Sequence, residues 1–368
     1  MKRADDPYET APRVTRLLLP AYIFLLAGCL STRNFPAPTP GSLPLAEPSA
    51  KFASTVEMRY LGSAGYLFRR GDHALITGPH YTNPHWLRVG LWRIQPDTAL
   101  IDWLHPQLSA SAVEAILVGH AHYDHLLDVP YIARKHHPQA TVYGNPTAIN
   151  LTLAAEPSLA GRVVSLDDEV SRDGAVGEWQ YVSDGRIRFM ALAAEHGPHA
   201  FKVHVMKGQV TEVPRKLPRS AWRWKEGETL TYLIDFMGED RQTVDFRIYY
   251  ADATTPGKVG LPPELDSADR HRIDLAILCV GSAHALKGYP ETFMDNYNPR
   301  AVVLGHWENF FRSPVEGVFR MRTTHLNEFI AIVEERLAAD ARWILPRPGS
   351  TYHLDIEPAP TAAVGSAD

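Results

Sequence analysis

The feature that most constrains this chain is the hexapeptide His120-Ala121-His122-Tyr123-Asp124-His125. His120 and His122 stand at the i, i+2 spacing that puts two imidazoles on one side of an extended segment. Asp124 and His125 then turn toward a second ion, because a neutral imidazole and a carboxylate both suit a borderline cation such as zinc. A lone histidine is ordinarily a satisfied core or surface residue. Four ligand-type side chains in six positions read instead as a metal-binding loop, which needs a rigid framework to aim it.

The rest of the sequence supplies that framework. Four apolar runs each lead into a residue able to bind metal: Ala115-Ile116-Leu117-Val118-Gly119 into His120, Phe189 through Glu195 into His196, Ile248-Tyr249-Tyr250-Ala251 into Asp252, and Ala301-Val302-Val303-Leu304-Gly305 into His306. Ligands at strand ends let a rigid sheet aim several loops at one point. Other strand candidates are 56–61, 65–68, 74–77, 141–143, 179–182, 230–235 and 275–280. The clearest helical pattern is 324–337, with Leu326, Phe329, Ile330, Val333 and Leu337 on one face and Thr324 available as a cap. No internal repeat is present.

These motifs resemble the metallo-β-lactamase-fold hydrolase superfamily. His120-x-His122-x-Asp124-His125 is similar to its ligand signature, Glu195-His196 to the third-motif histidine, Ala251-Asp252-Ala253-Thr254 to the bridging aspartate, and Gly305-His306-Trp307 to the final histidine. The resemblance implies a four-layer αββα sandwich with two divalent ions at one sheet edge. His120, His122 and His196 would hold one ion, Asp124, His125 and His306 the other, and Asp252 would bridge them. Water held as hydroxide between two such ions would be the nucleophile. Zinc is the default cofactor, and manganese or iron also suits an all-His and Asp set.

Asp252 argues against a true β-lactamase, which lacks the bridging aspartate. Asp252 and His306 lie too close in sequence for the cap domain of the larger nucleases. The net charge of −5 also argues against a nucleic-acid partner. Tyr60-Leu61-Gly62-Ser63-Ala64-Gly65 and Leu304-Gly305-His306-Trp307 resemble the branch that includes ascorbate-6-phosphate lactonase and N-acyl phosphatidylethanolamine phospholipase D. One departure stands out: Thr77-Gly78-Pro79 replaces the aspartate that ends the early strand in many relatives, which would weaken the support of the ligand loop. Asp128 is a candidate substitute, with a helix-surface charge as the competing reading.

The N-terminus carries a second message. Lys2, Arg3, Arg13 and Arg16 precede the apolar run Leu17 to Gly28, too short to span a bilayer and suited to an export signal. Leu26-Ala27-Gly28-Cys29 resembles a bacterial lipobox, implying lipidation at Cys29 and a membrane anchor in the cell envelope, on the periplasmic face of the outer membrane. Residues 1–28 are thus the signal peptide, 29–54 a Pro-rich tether, 55–356 the hydrolase domain and 357–368 a disordered tail. Cys279 then stands alone, a buried small hydrophobe, so no internal disulfide forms.

Several features have open meanings. Arg215, Lys216, Arg219, Arg223 and Lys225 interleave with Trp222 and Trp224, which suits contact with an anionic headgroup or substrate phosphate; a solvated insertion with its tryptophans packed on the domain is the alternative. Residues 84–93, with Trp86, Leu87, Leu91 and Trp92, read as a rim loop or core. Asp124 and His284 are the candidate catalytic side chains, His284 as a proton donor to the leaving group. His199 rivals His196 as a ligand, and His136-His137 reads as exposed. The expected function is hydrolysis of a phosphodiester, including phospholipid, with a lactonase or a non-catalytic metal-binding lipoprotein as alternatives.

Overall fold

The computed structural model of the chain describes residues 31–35, 55–106, 113–199 and 204–355. Cys29, the apolar run before it, most of the Pro-rich segment and the C-terminal tail lie outside the described residues. In chain order the elements are β1 (Ser31–Phe35), β2 (Thr55–Gly62), β3 (Gly65–Arg70), β4 (His73–Thr77), α1 (Trp86–Leu91), α2 (Thr98–Leu104) and β5 (Val113–Leu117). Then come α3 (Tyr123–Leu126), α4 (Val129–Lys135), β6 (Thr141–Gly144), α5 (Pro146–Ala155), β7 (Val163–Ser165), β8 (Gln180–Val182), β9 (Ile187–Ala194), β10 (Thr229–Met237) and β11 (Val244–Tyr250). The last are β12 (Leu275–Cys279), α6 (Glu291–Tyr297), β13 (Ala301–Gly305), β14 (Val318–Met321), α7 (Leu326–Arg336), β15 (Arg342–Ile344) and β16 (Thr351–Asp355).

Among the described residues two seven-stranded sheets form, ordered β16-β2-β3-β4-β5-β6-β7 and β15-β13-β12-β11-β10-β9-β8. Each is half antiparallel and half parallel: β4 to β7 run parallel in the first, β11, β12, β13 and β15 in the second. Alternation along the strands explains why the sheets stack. Phe189 and Ala191 of β9 and Leu275 and Ile277 of β12 face Val56, Tyr66, Phe68, Ala115 and Leu117 of the other sheet. Their neighbours Met190, Leu192, Ala276 and Leu278 face outward onto Phe293 of α6 and Phe329 and Val333 of α7. Ile76 and Ile116 likewise meet Ile101, Ile132 and Leu151 of α2, α4 and α5. Three apolar layers between four layers of elements make the αββα sandwich.

The topology also fixes where ligands emerge. β9 and β11 both run antiparallel to β10, so they point the same way, and β12 and β13 run parallel to β11. Their C-terminal ends therefore open at one edge. β5 of the first sheet reaches that edge too, where Leu230 donates its N–H to Gly119 O at 2.7 Å and Tyr232 its hydroxyl to Val118 O at 2.8 Å.

Local chemistry differs from expectation in two places. The last helix begins at Leu326, because Thr324 donates its hydroxyl to Met321 O at 2.7 Å and the left-handed His325 stands at the N-cap. His137, read as exposed, is buried, with Nε2 2.7 Å from His105 Nε2. Burial lowers its pKa to about 3 and keeps it neutral.

Candidate metal centre

The hexapeptide behaves as its spacing suggests. His122 is extended (φ −64, ψ 153), and the single turn of α3 begins immediately after it. His120 and His122 thus leave an extended segment, while Asp124 and His125 are swung around by the helical turn. All four are buried.

The remaining ligand candidates arrive from the second sheet. His196 follows β9 and donates Nδ1–H to Gly197 O at 2.6 Å, which leaves Nε2 for the site. Asp252 follows β11 and accepts a hydrogen bond from His120 Nδ1 at 3.0 Å. Gly197 N–H donates to Thr254 O at 2.6 Å, so the two loops are tied together. Gly119 is required beneath them, because a Cβ there would lie 2.3 Å from Asp252 Oδ2. His306 follows β13 in the left-handed region (φ 57), a conformation that costs a non-glycine residue roughly 1–2 kcal/mol. It is held there by its N–H, which donates to Tyr60 Oη at 3.3 Å.

Three sets of ligand atoms converge, each within 4.8 Å: His120, His122 and His196; Asp124, His125 and His306; and His120, His125 and Asp252. Asp252 thus stands between one histidine of each of the other sets. Many of these atoms face the common point without bonding. His125 Nε2 lies 3.6 Å from Asp124 Oδ2 and His125 Nδ1 3.6 Å from Asp252 Oδ2, both beyond hydrogen-bond length, and His306 Nε2 lies 3.5 Å from Asp124 Oδ2. His120 Nε2, His122 Nε2, His125 Nδ1, His306 Nδ1 and Asp252 Oδ2 are buried with no hydrogen-bond partner. A folded protein rarely leaves so many polar atoms orphaned in one place. The donor set fits divalent cations.

Electrostatics agree with a site prepared for cations. Burial lowers the pKa of His120 and of His125 to about 3, so both stay neutral and able to ligate. Burial raises Asp252 to about 6. Burial also acts to raise Asp124, but the neighbouring His125 and His306 outweigh it and hold the carboxyl well below its usual range.

A cavity of about 350 Å³ opens over these residues. One wall is apolar, with Met206, Phe310, Phe311 and Met321; another carries Ser282, His284, Thr323 and His325. His284 belongs to none of the ligand sets: it is exposed at the mouth and stacks on His325 with ring centroids 4.2 Å apart. His199 also lies outside the sets, stacked on His196 at 4.6 Å, with Nδ1 accepting from Val205 N–H at 3.3 Å. Cys279 is buried as expected, and it lines the cavity as well.

Three acids support the site, two of which, Glu226 and Glu308, the sequence did not disclose. Glu226 Oε2 is buried without a partner 3.9 Å from His122 Nε2, and burial raises its pKa to about 7. The peptide around it is fixed because Ala121 N–H donates to Glu226 O at 2.8 Å and Asn145 Nδ2 to Glu228 O at 2.6 Å. Glu308 accepts from Tyr60 Oη at 2.6 Å and from Ser63 N–H at 2.5 Å. It thus joins the Tyr60 opening motif to the His306 ending motif. Asp128, the candidate substitute for the missing carboxylate, is fully buried, unlike the helix-surface charge of the competing reading, and accepts from Tyr81 N–H, Thr82 N–H and Thr82 Oγ1 at 2.7, 2.9 and 2.5 Å. The missing aspartate at Gly78 also has a steric reason, since a Cβ there would sit 2.5 Å from His125 O.

No family model and no curated protein matches the chain. Solved structures do. Igni18, a metallo hydrolase from the hyperthermophilic archaeon Ignicoccus hospitalis KIN4/I, aligns with TM-score 0.46 and 15% identity over 82% of this chain and 100% of its own. The metallo-β-lactamase fold protein YhfI from Bacillus subtilis aligns with TM-score 0.42 and 12% identity over 81% of this chain and 99% of its own. CmlA, a diiron β-hydroxylase from Streptomyces venezuelae, aligns with TM-score 0.41 and 13% identity over 82% of this chain and 54% of its own. At these scores the likeness is one of outline, and the architecture rests on the sheets and apolar layers described above.

Proposed function

We propose that this chain is a metal-dependent hydrolase with two cations at the edge of its sandwich, acting on a phosphodiester. The observation that carries this reading is the set of five buried ligand atoms without hydrogen-bond partners, gathered from three strand ends, with His196 brought to them from a fourth. His120, His122 and His196 would hold one cation, and Asp124, His125 and His306 the other, with Asp252 between them. Zinc is the default occupant, with manganese or iron compatible with the same donors. Divalent cations in such a pair supply Lewis acidity and bring the pKa of water toward neutrality.

The chain's own residues do the rest. His120 is oriented by its hydrogen bond to Asp252, and His196 by Gly197 O, so neither ring needs to reorganise as substrate enters. Phe310, Phe311 and Met321 exclude water from one side of the cavity and offer an apolar portion of a substrate a place to lie. His284, which lines the cavity, would give a proton to a departing oxygen. Export and anchoring through Cys29 belong to the same proposal, and with the apolar wall they favour a phospholipid-type ester.

Purified protein loaded with zinc, manganese or iron in turn, and assayed on bis-p-nitrophenyl phosphate and on a lactone panel, tests the reading. Turnover of the diester, dependent on metal and lost in Asp252→Ala, is the expected result. Turnover of lactones alone would reassign the substrate. Two tightly held ions with no turnover of either would make the chain a metal-binding protein.

A further inference from the structure

Two segments that are separate in sequence form one surface. Trp222 donates its indole N–H to Gly90 O at 3.1 Å, and Ile94 N–H donates to Arg219 O at 2.8 Å, which lays residues 213–226 along α1. Trp224 is buried and bonded to Pro218 O at 2.9 Å, so this loop's tryptophans pack inward. Its cations stay outside. Arg88, Arg93, Arg215, Lys216, Arg219 and Arg223 are all exposed, and none forms an ion pair among the described residues. Asp97 and Glu212 are exposed acids nearby in the sequence. In a chain of net charge −5 this is a local reversal of sign.

Amid these cations stand Leu91 and Trp92, 62% and 61% exposed, the most exposed large apolar side chains among the described residues. Unpaired cations around a protruding Trp and Leu match a bilayer surface, where headgroups take the charges and the interfacial zone takes the rings. A nucleic acid would satisfy the cations and leave Leu91 in water.

The surface also adjoins the cavity. Glu226, which ends the basic loop, has Oε2 3.9 Å from His122 Nε2, and its N–H donates at 3.1 Å to the carbonyl of Met206, which lines the cavity.

We propose that α1 and the basic loop form a docking face for an anionic phospholipid bilayer, which holds the cavity mouth at the membrane. This inference stands independently of the hydrolase reading. The test uses the full chain carrying Cys29→Ser, so that no acyl chain contributes. Its co-sedimentation is compared on phosphatidylglycerol-containing and on pure phosphatidylcholine vesicles, at low and at physiological salt. The expected result is a salt-sensitive preference for the anionic vesicles, lowered by about a hundredfold in Arg215→Glu/Lys216→Glu/Arg219→Glu. Leu91→Ala/Trp92→Ala should weaken binding severalfold and keep the salt dependence. Arg88→Gln/Arg93→Gln, a milder change, should lower the preference about tenfold and guards against misfolding of the triple variant. Equal binding by parent and both charge variants, or no anionic preference in the parent, would overturn the proposal. So would loss of retention on single-stranded DNA with vesicle binding unchanged.

Discussion

Strands β9, β10 and β11 bury charge at both ends, and the two ends are completed differently. At one end Asp235 is clamped by Arg188 Nε at 2.9 Å and by Arg247 Nε and Nη2 at 2.7 and 2.8 Å. Arg188 also reaches Asp269 Oδ1 at 2.7 Å, and its guanidinium lies 3.9 Å from the Trp179 ring centroid. At the other end Asp252 accepts a bond from His120, and its Oδ2 has no partner. Burying charge is tolerable only when it is paired and hydrogen-bonded. The arginine end is complete in itself; the histidine end keeps buried donor atoms of the kind a metal satisfies. What a buried polar cluster lacks is therefore as informative as what it contains.

The sharpest break in this contrast is Asp235→Ala. It leaves two buried guanidinium groups without their carboxylate and should cost about 3–5 kcal/mol in urea unfolding, with metal content per folded molecule unchanged. A cost below about 1 kcal/mol would mean that water already compensates that end. Metal removal comes next. Chelation should lower the stability of the native protein by about 3–4 kcal/mol where the free metal exceeds its Kd by a hundredfold to a thousandfold. In Asp252→Ala the same chelation should have far less effect, hydrolysis should fall at least about a hundredfold, and the metal-free variant should be no less stable than metal-free wild type. A chelator-insensitive melting curve in the native protein would remove the distinction between the two ends.

Acid should separate the ends more gently. In the metal-free protein His120 and His125 titrate at about 3, against 6.5 in the unfolded chain. The unfolded state therefore takes up protons first, and this contribution is full above pH 6.5 and lost as pH falls toward 3. Asp252, raised to about 6 from 3.8, acts in the opposite sense between those values and offsets part of the loss. Glu226, raised to about 7, acts with Asp252, and His137, lowered to about 3, with the two histidines; three histidines outweigh two carboxylates, so the urea midpoint should fall from pH 6.5 to 4. A flat profile would show that the rings are already protonated in the fold. The smallest effect is reserved for Asp128→Asn, which keeps the shape but weakens three accepted bonds. It should cost about 1–2 kcal/mol and reduce activity less than Asp252→Ala does.

Legibility of the site followed the range of the interactions involved. The hexapeptide could be read because its ligands are sequence neighbours, and His196, Asp252 and His306 because each follows an apolar run. Glu226 and Glu308 offered no such signal: one ends a cationic loop, the other follows a histidine already noticed, and each matters through a partner far away in the chain. Thr324 was misread as a cap because a hydroxyl can equally serve the preceding turn, as its bond to Met321 O shows. His137 was misread because an adjacent histidine pair looks polar, while His105, which satisfies it, is distant in sequence.

The sequence by itself determined the donor types, their order and their positions after apolar segments, because those depend on side-chain chemistry and on the two-residue period of a strand. It also set the alternation that forces two sheets to stack. Only the tertiary structure decided that Glu226 comes within 3.9 Å of His122, that Gly119 and Gly78 must lack side chains, and that α1 and the basic loop share one face. Those outcomes depend on approaches of a few ångströms between segments remote in the chain, which local pattern does not encode.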